Sequence, residues 1–323
     1  VLYLGKKLIY FSTVIIIISA IIIIYNKTGQ AKTVEADKTF SAVKADTKVE
    51  STAQLIAEHK EVEEEKRAEL LEDQKQKEQA QKNIETLKQL VEDIIGDNKD
   101  NIGVAYFDVS SSLGFNINGD KTFKAASTVK VPVVMATAEL IKNNKLKLDD
   151  QVSYTSDDYE DGAGILQGSS KLDNPIKISE LVDYSLIYSD NIAVNMLLRT
   201  IGSNYKYDFI EQTVSHSVNR SANETTPSDS LAILKRLYYN YDNDDNYNLI
   251  IKDLKNTIYH DRIDKYIPQS IVAHKIGDYE NYINDIAIVY DDKPYILTVF
   301  TKDINDVGDE IIAKISKVIY DNR

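Results

Sequence analysis

The first hydrophobic feature along the chain is an unbroken run, Leu8 to Tyr25 (LIYFSTVIIIISAIIIIY), eighteen positions without a charge, preceded by Lys6 and Lys7 and followed by Lys27. At about 1.5 Å of rise per residue a helix of this length reaches roughly 27 Å, near the apolar thickness of a bilayer. Gly29-Gln30-Ala31 offers a small-residue cleavage site, but the run is longer than the roughly 7 to 15 apolar residues of a signal-peptide core. The pattern therefore predicts an uncleaved anchor helix over 8–25, closing a first segment at residue 27. The lysines on its short N-terminal side place everything beyond Lys27 outside the cytoplasm.

From 28 to 83 the hydrophobic signal fades. Between Glu58 and Lys82 there are nine acids and six bases, with Glu63 and Arg67, Asp73 and Lys77, and Glu78 and Lys82 at i,i+4 spacing. Each such pair supports an exposed helix by about 0.2–0.5 kcal/mol. The apolar residues here, Val62, Leu70 and Leu71, make no sustained heptad seam. A solvated helical stalk is expected, with self-association through it as the sharper alternative. At Ile84 the pattern turns globular: Ile84, Leu87, Val91 and Ile94 fall on one helical face, and Gly96 stops the helix. Ile102–Val109 reads as a strand, Ile286–Tyr290 and Tyr295–Thr301 as a hairpin, and Val307, Ile311, Ile312, Ile315 and Ile319 as a helical stripe. Strands at both ends bracket a mainly helical middle, about 127–241. That order predicts an α+β domain over 84–323, with an antiparallel sheet flanked by helices and an all-helical lobe.

Composition narrows the chemistry. The 323 residues hold 38 Lys and Arg against 51 Asp and Glu, a formal charge of −13. Phosphate recognition needs clustered cations, so a nucleic-acid partner is excluded. With no cysteine there is no disulfide, thiolate nucleophile or thiolate metal site. His59, His216, His260 and His274 show no metal-ligand spacing, so no metal or cofactor is expected.

Three short motifs carry chemistry. In Ser127-Thr128-Val129-Lys130, at an expected helix start, positions i and i+3 share a face. The Lys130 amine can then reach the Ser127 hydroxyl, and when partly desolvated it can accept the hydroxyl proton. Ser189-Asp190-Asn191 follows 62 positions after Ser127, and also suits a helix N-cap, a role expected of Asp190. Lys275-Ile276-Gly277 follows after another 86 positions. In a strand neighbours face opposite sides, so if Lys275 faces the site His274 does not.

Together these motifs resemble the S-x-x-K, S-D-N and K-T-G set of class A β-lactamases and penicillin-binding proteins. The resemblance implies that fold, a bacterial setting, and a β-lactam or cell-wall peptide-like small substrate. It implies Ser127 as the acylated nucleophile, Lys130 as its general base or proton relay, Ser189 as a proton relay to the leaving nitrogen, and Lys275 as the cation opposite a substrate carboxylate. Asn191 would hold the substrate amide side chain, and the N–H groups of Ser127 and Asp278, the residue after Gly277, would form the oxyanion hole.

Two features depart from the family pattern. The segment 208–227 lacks the family's glutamate signature for water activation, and offers only Glu211 and Glu224 as deacylating bases. Asn195 resembles the residue that steadies that glutamate, and is expected to be without its partner. Ile276 replaces a hydroxyl residue and cannot donate to a substrate carboxylate. Three functions stay open: a β-lactamase, a slowly deacylating penicillin-binding or peptidase-like protein, and a non-catalytic sensor or binding domain.

Overall fold

The computed structural model describes residues 45–304 and 307–323. The apolar run Leu8–Tyr25 lies outside them, as do the first residues of the expected stalk. No helix among the described residues is long and apolar enough to cross a membrane.

Helix α1 spans Ala45–Ile95. Leu70 ends one compact unit, and Leu71–Arg323 form the other. From residue 57 to 79 every side chain of α1 is exposed, Val62, Leu70 and Leu71 included, so no apolar seam is covered there. Lys77 and Asp73 pair at 2.8 Å. Further along, Ile84, Leu87, Val91 and Ile95 are buried and Ile94 half-buried. Gly96 leaves the helix at φ +53°, where a side chain would be strained.

The second unit continues with β1 (Ile102–Asp108), β2 (Gly114–Ile117), β3 (Phe123–Lys124), α2 (Lys130–Lys142), β4 (Gln151–Val152), β5 (Ile176–Lys177), α3 (Ile178–Ile187) and α4 (Asn191–Ile201). Then come α5 (Ser203–Val214), β6 (Glu224–Thr225), α6 (Pro227–Tyr239), α7 (Asp245–Lys255), β7 (Val272–Tyr279), β8 (Tyr282–Val289), β9 (Tyr295–Lys302) and α8 (Gly308–Asn322). Five strands form one antiparallel sheet in the order β2-β1-β9-β8-β7, which brings the two ends of the domain together. Strands β3 and β6, and β4 and β5, make small ribbons.

Both faces of the sheet are covered, which is why β9 is buried continuously from Tyr295 to Thr301 rather than at alternate positions. On one face Ala273, Ile286, Ile288, Ile296 and Phe300 join the helical lobe built from α2 to α7. On the other, Val104, Tyr106, Leu297 and Val299 join Leu87 and Val91 of α1 and Ile312, Ile315 and Ile319 of α8. Each fully buried aliphatic side chain contributes roughly 1.5–3 kcal/mol. The architecture is α+β, and β7 is an edge strand of the sheet, set against the turn that precedes α2.

Candidate active site

Ser127 sits in a 3-10 turn, Ala126–Val129, between the β3–β6 ribbon and the start of α2. Ala126 has φ +49°, unfavourable for a residue with a Cβ. The surroundings enforce it: Ala125 N–H donates to Asn223 O at 3.0 Å, Asn223 Nδ2 to Ala126 O at 3.3 Å, and buried Asn284 Nδ2 to Lys124 O at 2.9 Å. The turn hands over directly to α2, so Lys130 rises on the same side as Ser127, as the i,i+3 spacing predicts.

Lys130 is 2% exposed, and its Nζ has four neighbours: Ser127 Oγ at 2.9 Å, Ser189 O at 2.6 Å, Asn191 Oδ1 at 2.7 Å and Ser189 Oγ at 3.2 Å. A neutral amine has two hydrogens and one lone pair. With its hydrogens on Ser189 O and Asn191 Oδ1, the lone pair is left for the Ser127 hydroxyl. Burial pushes the Lys130 ammonium down to about 8, against weaker opposing attractions from Glu160 and Asp190. Lysine is thereby brought into the range where it can act as a base.

Ser189 and Asn191 are delivered by the start of α4. Asp190 caps that helix, accepting from Ala193 N–H at 2.9 Å, while its other oxygen takes Ile165 N–H at 2.6 Å and Leu166 N–H at 2.8 Å. Its role is the structural one expected of an N-cap, with the loop before Leu166 tied in as well. Ser189, at φ +52°, is held in a strained conformation between these anchors.

Lys275 reaches in from β7. It is fully buried, and its Nζ donates to Ser189 Oγ at 2.9 Å and to Ile276 O at 3.0 Å, with no carboxylate at ion-pair distance among the described residues. Burial, and then repulsion from Lys130, hold its ammonium well below the usual lysine range. Ser189 Oγ thus links two amines, and the hydroxyls of 127 and 189 share Lys130. Gly277 passes so close to the Ser127 turn that a Cβ there would lie 2.8 Å from Ala125 O and 3.1 Å from Ser127 N. Strand and turn therefore bring the backbone at 127 and at 277–278 together. Asp278 is paired with Arg262. Ile276, 6% exposed, lines the same cleft.

The cleft has a volume of about 800 Å³. It gathers Ser127, Lys130, Ser189, Asn191, Ile276 and Asp278, but neither Glu211 nor Glu224. Neither of the expected deacylating bases lines the cleft. Glu211, on α5, binds Val218 N–H at 3.1 Å and pairs with Arg220, which holds its carboxyl below the usual range. Glu224, on β6, pairs with Lys124 at 3.0 Å and accepts from Asn219 at 3.0 Å. The sequence offers their charge but not these local partners. The glutamate in the cleft is Glu160, whose Oε2 accepts from Asn195 Nδ2 at 2.9 Å. Asn195 therefore has a carboxylate partner after all, from a loop remote in sequence. Among the cleft residues outside the motifs are Tyr259, whose ring lies 5.7 Å from Lys275 Nζ, and Lys206, buried to 8% exposure with Nζ 3.9 Å from the Tyr207 ring.

His274 faces away from the cleft, as strand alternation requires. Its Nδ1 meets Asp285 at 3.0 Å and its Nε2 lies 3.3 Å from Asp264, which also pairs with His260. His260, Asp264 and His274 bring three ligand-type atoms within 4.8 Å of one another. Against the opposing effect of burial, the two aspartates raise His274 to about 10.

The sequence model of the beta-lactamase enzyme family matches residues 86–322. The chain is 25% identical over 275 residues to the β-lactamase VEB-1 of Pseudomonas aeruginosa, covering 71% of this chain and 88% of that protein. It is also 25% identical over 229 residues to the β-lactamase BRO-1 of Moraxella catarrhalis, covering 62% and 73%. Among solved structures, a β-lactamase of Sphaerobacter thermophilus superposes with a TM-score of 0.65 at 21% identity, over 72% of this chain and 95% of that one. A mutant of PBP-A in an acyl-enzyme complex with penicillin G superposes with a TM-score of 0.66 at 20% identity, over 74% and 96%.

Proposed function

Because this chain belongs to the beta-lactamase enzyme family, we propose that its globular domain is a serine acyl-transfer hydrolase in which Ser127 is acylated by a β-lactam or a related cell-wall peptide amide. The observation that carries this reading is the continuous contact from Ser127 Oγ through Lys130 Nζ and Ser189 Oγ to Lys275 Nζ, with steps of 2.9, 3.2 and 2.9 Å. In the proposed reaction the Lys130 amine takes the Ser127 proton as Oγ attacks the carbonyl carbon. Backbone N–H groups of Ser127 and Asp278 receive the developing oxyanion, and removing one such donor typically costs about 10²–10³ in rate. Ser189 then passes a proton to the leaving nitrogen as the C–N bond breaks, and the Lys130 ammonium, 3.2 Å away, returns a proton to Ser189 Oγ and becomes the amine again. Asn191 Nδ2 and the Lys275 ammonium bind the substrate's amide and carboxylate.

A second reading, a penicillin-binding or peptidase-like protein with a long-lived acyl-enzyme, is favoured by Ile276 and by the absence of Glu211 and Glu224 from the cleft. Incubation with a fluorescent penicillin and a chromogenic cephalosporin separates these. Turnover that Ser127→Ala abolishes supports the β-lactamase; a lasting label without turnover supports the second reading. No Ser127-dependent label leaves a non-catalytic binding or sensor domain. The apolar run Leu8–Tyr25, with lysines before it, supports a membrane-anchored protein on the outer face of a bacterial cell membrane.

A further inference from the structure

Resting on the acylation of Ser127 proposed above, the geometry points to Glu160 as the group that activates the water which releases the acyl chain from Ser127. Three carboxylates line the cleft among the described residues: Glu160, Asp161 and Asp278. Asp278 is committed to Arg262, and Asp161 is held only by the N–H of its neighbour Gly162, 2.9 Å from Oδ1, with no side chain among the described residues orienting its carboxylate. Glu160 is differently placed. One of its oxygens is fixed by Asn195, on the helix that also carries Asn191, and the other accepts no hydrogen bond among the described residues. That oxygen is free to hold a water in the same cleft as Ser127 and Lys130.

The backbone that carries Glu160 is pinned on both sides, as a preorganised base requires. Before it, Asp158 closes a capping box with Thr155 and binds Arg199 Nε at 2.8 Å. After it, Asn191 Nδ2 donates to Asp161 O at 2.9 Å, Asn191 N–H donates to Ala163 O at 3.0 Å, and Asp190 takes the N–H groups of Ile165 and Leu166. Gln167 Nε2 donates to Glu160 O itself at 3.2 Å. Gly164, at φ +131°, allows the loop to lie on Asp190, because a Cβ there would sit 2.3 Å from Asp190 Oδ2. Helix α4 thus supplies both the amide that binds Lys130 and the amide that orients Glu160.

The water oxygen bonds to the acyl carbonyl carbon while its proton passes to the Glu160 carboxylate. The bond from carbonyl carbon to Ser127 Oγ then breaks, and the proton on Glu160 returns through the Lys130 amine to the departing Oγ. Carboxylate, amine and serine alcohol are restored, and a carboxylic acid leaves.

The test follows Ser127 labelled with a fluorescent penicillin, by mass spectrometry of the adduct after excess label is removed. Glu160→Gln keeps shape and loses the basic oxygen. We expect it to slow adduct loss by about 10²-fold, in the range of general-base effects, and to slow labelling far less. Asn195→Ala, which frees Glu160 to swing, should fall between the two. Hydroxylamine, a nucleophile strong enough to attack the ester without a base, should release the Glu160→Gln adduct at the wild-type hydroxylamine rate; a variant that merely distorts the cleft would not be rescued. Adduct loss as fast in Glu160→Gln as in wild type overturns the assignment, as does a hydroxylamine rate depressed as much as the water rate. Wild type that never labels at Ser127 overturns the acylation reading, and the assignment with it.

Discussion

Lys130 shows how a residue type becomes a reagent through its surroundings. Its i,i+3 spacing from Ser127 is legible in the chain, but the carbonyl and amide that occupy its hydrogens come from residues about 60 positions away. Because burial sets its ammonium near 8, the lone pair is lost below that pH and gained above it. The rate of labelling at Ser127 should therefore rise with an apparent pKa near 8, and Lys130→Ala should abolish the rise along with most of the rate. A flat profile from pH 6 to 9 would refute the base role. Ile276 makes an opposite case, since its meaning lies in what it lacks. A hydroxyl in its place would donate to a substrate carboxylate, and hydrogen bonds to charged groups are worth about 1.5–3 kcal/mol. Ile276→Thr should accordingly speed penicillin labelling by about tenfold; an unchanged second-order rate would count against that account.

At the scale of elements, the cleft depends on how β7 meets the turn before α2. Gly277 is the point of closest approach, and Gly277→Ala drives a Cβ into Ala125 O and toward Ser127 N. Labelling should drop by at least about tenfold as the oxyanion donors separate, with far-ultraviolet circular dichroism unchanged; full activity would show that the strand can shift freely. Behind β7, His274 sits between Asp264 and Asp285. Its folded value of about 10 lies above the ordinary 6.5, so its stabilisation is complete below about 6.5 and is lost as pH rises toward 10. His274→Gln, which breaks a buried ion cluster, should cost about 3–5 kcal/mol at pH 6. It should also flatten the fall in stability between pH 7 and 10 seen for wild type in urea titrations; parallel curves would show that His274 is neutral when folded. The helical stripes and hairpin strands were readable because periodicity is local. Ribbons such as β3–β6 were not, since two-residue strands leave no pattern and exist only by pairing.

On the scale of the molecule, the −13 charge and the apolar run at 8–25 describe a chain with little pull toward polyanions and one strongly lipophilic end. In flotation with zwitterionic vesicles the chain should travel with lipid, and a version beginning at residue 28 should stay in the aqueous fraction; co-flotation of both would refute the anchor. Among the described residues the α+β order, the α1 stripe from Ile84 and the three motifs were all present in the amino-acid pattern, because each is a matter of spacing within a few turns or of a short ordered signature. Assignment of the glutamates was not. Glu160, Glu211 and Glu224 are equivalent as side chains, and Arg220 and Lys124 draw two of them into ion pairs while Asn195 turns the third into the cleft. The chain alone determined which chemical groups were available and where the longer helices and strands would form. Only the tertiary structure decided which groups face one another, since burial, electrostatic partnership and hydrogen bonding depend on distances between residues far apart along the backbone.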